Sequence, residues 1–150
     1  MLRLGAVFSL PNILTRCLIT TSMTGDCPGQ KMLEMKRWAV IGDVLNESKP
    51  ASLVVSTLKA AGKDVSLVNP RDTTGMVHKD ISHVSTTIDV VDLIVNSRDG
   101  LTQVQSAIDV GVRQIFIQPG ASSKEILDLC AQNGVVVHHG CVMVELNVPH

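Results

Sequence analysis

Aromatic residues are nearly absent from this chain. It has no tyrosine, and Phe8, Trp38 and Phe116 are its whole aromatic content, 2% of the residues. Proteins that hold single-stranded nucleic acid stack bases on aromatic faces, so that class is not expected. An excess of one charge is missing as well: 13 Lys and Arg stand against 14 Asp and Glu, a formal charge of −1. Without a global positive field there is nothing to gather a polyanionic backbone by counterion release, and no nucleic-acid partner is expected. No run approaches the roughly 18 consecutive apolar residues of a membrane-spanning helix, so no membrane partner is expected. The four cysteines, at positions 17, 27, 130 and 141, contain no CxxC pair. They form no framework, which points to free thiols in a reducing interior.

What the chain does have is material for a core. Hydrophobic residues make up 45% and charged residues 18% of its 150 positions. That is enough for one globular domain with a short appendage and excludes a disordered tail as the whole protein.

The appendage is N-terminal. Residues 1 to 25 are rich in Leu, Ile, Ser and Thr, carry Arg3 and Arg16, and hold no acidic residue before Asp26. This composition reads as a mitochondrial transit peptide, with a matrix location as its consequence. Met23, Met32 and Met35 are possible later starts, which would give a cytoplasmic form. Gly25 to Lys31, with Pro28 and Gly29, reads as a linker, so the expected division is 1–31 transit peptide and linker, 32–150 folded domain.

From Lys36 onward strand and helix patterns alternate. Trp38 to Gly42, Asp64 to Val68, Val90 to Val95, Gln114 to Gln118 and Val135 to His138 are short apolar runs of the kind buried parallel strands use. Between them lie helical patterns. Pro50 suits a first helical turn, and Leu53, Val54, Thr57, Leu58 and Ala61 follow at 3–4 spacing. Leu101, Val104, Ala107 and Ile108 form a second stripe, and Ile126, Leu127, Leu129 and Cys130 a third, opened by a capping box of Ser122 and Glu125. Gly62, Gly111 and Gly134 each end a helix and lead into a Val-bearing strand. The polar stretch Arg71 to Asp89 has room for a short edge strand near Met76 to His78 and a helical turn near Ile81. Cys141 to Leu146 reads as an extended apolar tail. Repeated helix–Gly–strand units force parallel pairing with right-handed crossovers. The predicted fold is α/β: a three-layer, Rossmann-like, doubly wound parallel sheet of about five strands, in the order 3-2-1-4-5.

Such sheets bind ligands beyond the carboxyl ends of their strands, where the winding reverses. Here that point lies between the strands ending at Gly42 and Val95. The loops that meet there are Gly42 to Ser52, Asn69 to Arg71, Asn96 to Gly100 and Gln118 to Ser122. They bring Lys49, Arg71 and Arg98, the hydroxyls of Ser48 and Ser52, and two helix N-termini, whose N–H groups favour an anion. A polyanionic small molecule, a nucleotide pyrophosphate, follows. The dinucleotide fingerprint GxGxxG is absent, and Asn69 stands where an acid would hold a ribose 2′-OH, which disfavours NAD. NADP is less excluded, because Arg71 could meet a 2′-phosphate. No GxxxxGK[ST] motif is present.

The run Ala39-Val40-Ile41-Gly42, the turn Ser48-Lys49-Pro50, Val68-Asn69-Pro70, the glycines at 111 and 134 and the closing Cys141-Val142-Met143-Val144-Glu145 resemble the small CoA-binding proteins. These are stand-alone relatives of the N-terminal CoA-binding domain of the succinyl-CoA ligase alpha subunit. The resemblance spans residues 36 to 146, and the order and spacing of its short motifs carry it. It implies CoA as cofactor, with the ADP part across the first loop and the end of the second strand. Carried over by position, Gly42, Ser48, Lys49 and Ser52 would meet the phosphates; Asn69, Pro70 and Arg71 would flank the adenosine. Asn96, Ser97, Arg98, Gln118, Pro119 and Gly120 would line the rest of the groove. One departure is Asp43-Val44, where the family usually has a small pair.

No catalytic or metal-binding residue is assigned. The ligase's phosphorylated histidine belongs to a second domain that the resemblance does not reach. Adjacent His138 and His139 on a strand point to opposite faces and cannot easily share an ion. Cys141 reads as a small buried hydrophobe, His78 and His83 as solvent-facing, and Asp89, Asp92 and Asp109 as solvated carboxylates. The expected function is CoA or acyl-CoA binding without chemistry of its own, as a homodimer or enzyme subunit. The alternatives are an NADP-type enzyme and an interaction domain with a vestigial pocket.

Overall fold

The computed structural model describes residues 27–146; the expected transit peptide lies outside them. Five parallel strands form one sheet: β1 (Arg37–Gly42), β2 (Asp64–Val68), β3 (Val90–Ile94), β4 (Gln114–Ile117) and β5 (Val136–His139). The helices are α1 (Pro28–Glu34), α2 (Pro50–Ala60), α3 (Ser97–Asp109), α4 (Lys124–Gln132) and α5 (Val142–Glu145), with a 3-10 turn at Ile81–His83. No described helix is long and apolar enough to cross a membrane.

Both faces of the sheet are covered, which is why its central strands read as unbroken apolar runs. On one face Ala39, Ile41, Leu93, Ile115 and Ile117 pack against Val104, Ala107 and Ile108 of α3 and Ile126 and Cys130 of α4. On the other, Trp38, Val40, Val90 and Phe116 pack against Met32 of α1, Val54 and Leu58 of α2 and Val142 of α5. Trp38 is fully buried, yet its indole N–H donates to the Met35 carbonyl at 3.0 Å.

The strand order is β2-β1-β3-β4-β5, not the expected 3-2-1-4-5. The segment after β2 lacks the residues for a full edge strand and contributes one parallel bridge, Val68 to His78. That bridge occupies the place of the third strand, and the next strand crosses to the far side of β1. The winding therefore reverses between β1 and β3, where it was expected. The intervening polar segment is organised by two carboxylates. Asp72 accepts from the Thr74 hydroxyl and the Thr74 and Gly75 amides, while Asp80 caps the 3-10 turn through Ser82 N–H and accepts from Gln103 and Ser106.

Several local expectations need correction. Residues 28–31, read as linker, form the first turn of α1, which buries Met32 and Leu33. Gly29 is needed there, because a Cβ would lie 2.4 Å from the His138 ring. The cap of α4 is Ser123, accepting from Ile126 N–H at 3.2 Å; Ser122 instead contacts His139. The tail expected to be extended forms α5, tied down by His138 Nε2 and Glu145 Oε1 at 2.8 Å. Cys130 and Cys141 are free thiols, Cys141 half-buried instead of buried, whereas Cys27, expected to be free, is disulfide-bonded.

Candidate functional site

Register sets the site. Ile41 lies level with Val68 and Leu93, and Gly42 with Ile94, so the loops after β1, β2 and β3 leave the sheet side by side. Gly42 makes this possible: a Cβ would lie 2.4 Å from the Ile94 side chain, 2.9 Å from its carbonyl oxygen and 3.0 Å from Ala51. Its contribution is the close approach of two strands and a helix.

Above this point lies a crevice of about 370 Å³. Lys49, Asn69, Pro70, Arg71 and Asn96, all predicted, line it together with Asp43 and Asp99. A second hollow of about 450 Å³ lies on the other side of Lys49 and takes in Ser48, Ser52, Leu53 and Met143 of α5. Lys49 thus stands between the two.

The first loop is held by Asn46, whose side-chain oxygen accepts from the Ser48 amide at 3.0 Å and the Ser48 hydroxyl at 2.7 Å. It delivers Lys49 as the N-cap of α2. No side-chain cap is made there, Pro50 fills the first position, and the first turn has no acidic residue. The positive end of this helix faces the site without an internal counter-charge.

The α3 end is different. Asn96 caps it by accepting from Asp99 N–H at 3.0 Å. The Asp99 carboxylate in turn accepts from Asn96 Nδ2 at 3.0 Å and from Arg71 Nε at 2.7 Å. The hydrogen bond from Arg71 holds the Asp99 carboxyl below the usual carboxylate range. Asn69 fixes its own loop by accepting from Arg71 N–H at 3.0 Å and approaches Asp43 at 3.5 Å.

The remaining predicted residues do not line the crevice. Ser97 and Arg98 are exposed on the first turn of α3, and Pro119 and Gly120 are exposed after β4. Gln118 is buried and donates to Asp92 at 2.8 Å. Asp92, read as solvated, is fully buried in β3, and its Oδ2 has no partner. Desolvation pushes its pKa to about 7. The signal for this was its place inside the run Val90 to Val95: a residue in a strand covered on both faces cannot reach water. Asp99 was missed because its partner Arg71 comes from a distant loop. Among the described residues no cluster of His, Cys, Asp or Glu could hold a metal.

The sequence profile of the family described as "CoA binding domain" matches residues 36–147. No curated protein matches the chain. A conserved hypothetical protein from Pyrococcus furiosus superposes with a TM-score of 0.66 at 28% identity, over 74% of this chain and 99% of that one. A hypothetical protein from Pyrococcus horikoshii OT3 gives 0.74 at 23% identity, over 83% and 93%. A dinucleotide-forming acetyl-coenzyme A synthetase from Ca. Korarchaeum cryptofilum gives 0.60 at 20% identity, over 72% of this chain but 26% of that one.

Proposed function

The chain belongs to the CoA-binding domain family, and from that premise we propose that it binds coenzyme A or an acyl-CoA through the ADP moiety, with no catalytic group supplied by its own residues. One observation carries the reading: the uncapped N-terminus of α2 places Lys49 between the crevice at the reversal of winding and the hollow lined by Ser48 and Ser52. The pyrophosphate belongs at that helix end, where backbone N–H groups and the dipole favour an anion. The adenosine belongs in the crevice beside Asn69 and Pro70. The acyl-bearing arm runs past Lys49 towards Leu53 and Met143, whose apolar surface suits an alkyl chain.

Thermal unfolding with CoA, acetyl-CoA, NADP and ATP tests this. CoA at a hundredfold excess over its dissociation constant stabilises by about 2.7 kcal/mol. Stabilisation by NADP alone would instead mark a nicotinamide-dependent enzyme. No response to any of them would leave an interaction domain.

We also propose that residues 1–25 direct the chain to the mitochondrial matrix, supported by their two arginines and their lack of any acidic residue. A fluorescent protein fused behind them is expected in mitochondria; diffuse cytoplasmic fluorescence would contradict this. A start at Met32 would remove the first turn of α1 and a start at Met35 all of it, so of the three later starts only Met23 keeps α1 in a cytoplasmic form.

A further inference from the structure

The charged side chains that line the crevice are matched in number before any ligand arrives. Lys49 and Arg71 face Asp43 and Asp99, two cations against two carboxylates. A phosphate beyond the one held at α2 therefore finds Arg71 already paired, and gains from it only if that cation changes partner. Arg71 is built for that change. Its side chain is 72% exposed, so its guanidinium can turn without losing a buried environment, whereas the Asp99 side chain is 23% exposed and fixed. Asp99 is not stranded when Arg71 leaves. It keeps the bond from Asn96 Nδ2 at 3.0 Å and sits in the first turn of α3, where the helix dipole favours a carboxylate. Asn69 holds the Arg71 backbone in place, so only the side chain need move.

From this balance we infer that Asp99 is a built-in competitor for ligand phosphate: it stores Arg71 and yields it to a phosphate monoester on the ribose of the bound nucleotide. The inference rests on the CoA reading above and adds a specificity element to it. With the pyrophosphate at α2, the ribose points to the end of β2, which is where Arg71 stands. The stored pair then sets a threshold. A ligand with the extra phosphate can exchange for Asp99; a ligand without it leaves the ion pair closed and gains nothing from Arg71.

Calorimetric titration of the full chain with CoA and dephospho-CoA reads this directly. Asp99→Asn keeps the amide that Asn96 caps but removes the competing charge. It is expected to tighten CoA binding about threefold, the scale of an exposed ion pair, and to act less on dephospho-CoA. Arg71→Gln is expected to weaken CoA towards the affinity of dephospho-CoA. In the Arg71→Gln background, Asp99→Asn should then have no further effect, since the two positions share one interaction. If CoA binds but Asp99→Asn leaves its affinity unchanged, weakens it, or acts equally on both ligands, the competitor role is overturned and CoA binding stands. If CoA binds neither the unsubstituted chain nor the Asp99→Asn variant, both the CoA reading and the competitor role are overturned.

Discussion

Two helices begin at the same reversal of the sheet, and they begin in opposite ways. α2 starts with Lys49 and Pro50, has no side-chain cap and no acid in its first turn. α3 starts with Asn96, closes its cap on Asp99 N–H, and places the Asp99 carboxylate against its own positive end. A helix end that satisfies itself has little left for a ligand, while an open one is a ready anion site. The proposed phosphate role therefore falls to α2, and α3 presents the Asp99 carboxylate to the crevice. Position in the fold alone would have treated the two ends as equivalent.

The same contrast recurs between two carboxylates of one strand–helix unit. Asp99 is favoured as the anion at the rim by Arg71 and Asn96, whereas burial shifts Asp92, in β3, towards its neutral form. The two press stability in opposite directions with pH. The folded-state pKa of Asp92, about 7, lies above its unfolded value near 3.9. Its contribution is complete below the unfolded value and is lost as pH rises towards and through 7, with a slope of up to about 1.4 kcal/mol per pH unit. The depressed carboxyls of Asp72, Asp80, Asp89 and Asp99 act the other way, stabilising above the ordinary carboxylate range and losing their contribution as pH falls below it. Between pH 5 and 7 the Asp92 effect stands alone among these five. This gives the largest expected effect: the unfolding temperature of the unsubstituted chain falls from pH 5 to 7, and Asp92→Asn flattens that slope. An unchanged slope in the variant would place the buried proton elsewhere.

A smaller substitution breaks the comparison between the helices. Lys49→Asp gives α2 what α3 already has in Asn96 and Asp99, a side-chain cap and a carboxylate at the N-terminus. The stability of the chain is expected to rise by about 0.5–1 kcal/mol, because the cap satisfies an orphan N–H and complements the dipole. CoA binding is expected to fall by more than about tenfold, since the cap occupies the anion's place and removes the cation. Denaturant unfolding and ligand titration on the same sample measure both. A variant that is stabilised and still binds CoA as before would show that the α2 end is not where the phosphates sit.

Much of this was legible in the sequence, and the losses have physical causes. All five strands were found because apolar runs of four to six residues bounded by Gly, Asn or Pro have few other readings. The reversal point followed from them even though the strand order did not. Order depends on whether the chain after β2 pairs at the edge, and that is decided by one bridge at His78. Gly25 to Lys31 reads as linker although Pro28 stands at the first position of α1, because Pro-Gly also marks a turn. At the site, Lys49, Asn69, Arg71 and Asn96 were brought together as expected. The expected role of Gln118 was displaced by a need the sequence only hints at, a hydrogen bond for a carboxylate with no route to water.

The central claim is that the open end of α2 receives the ligand's phosphates, and amide chemical shifts during a CoA titration test it most directly. The largest changes are expected at Ala51, Ser52 and Leu53, with smaller ones at Arg71 and Asp99 as their ion pair yields. Changes confined to the outer face of α3 and α4, with the first turn of α2 unmoved at saturating CoA, would contradict it.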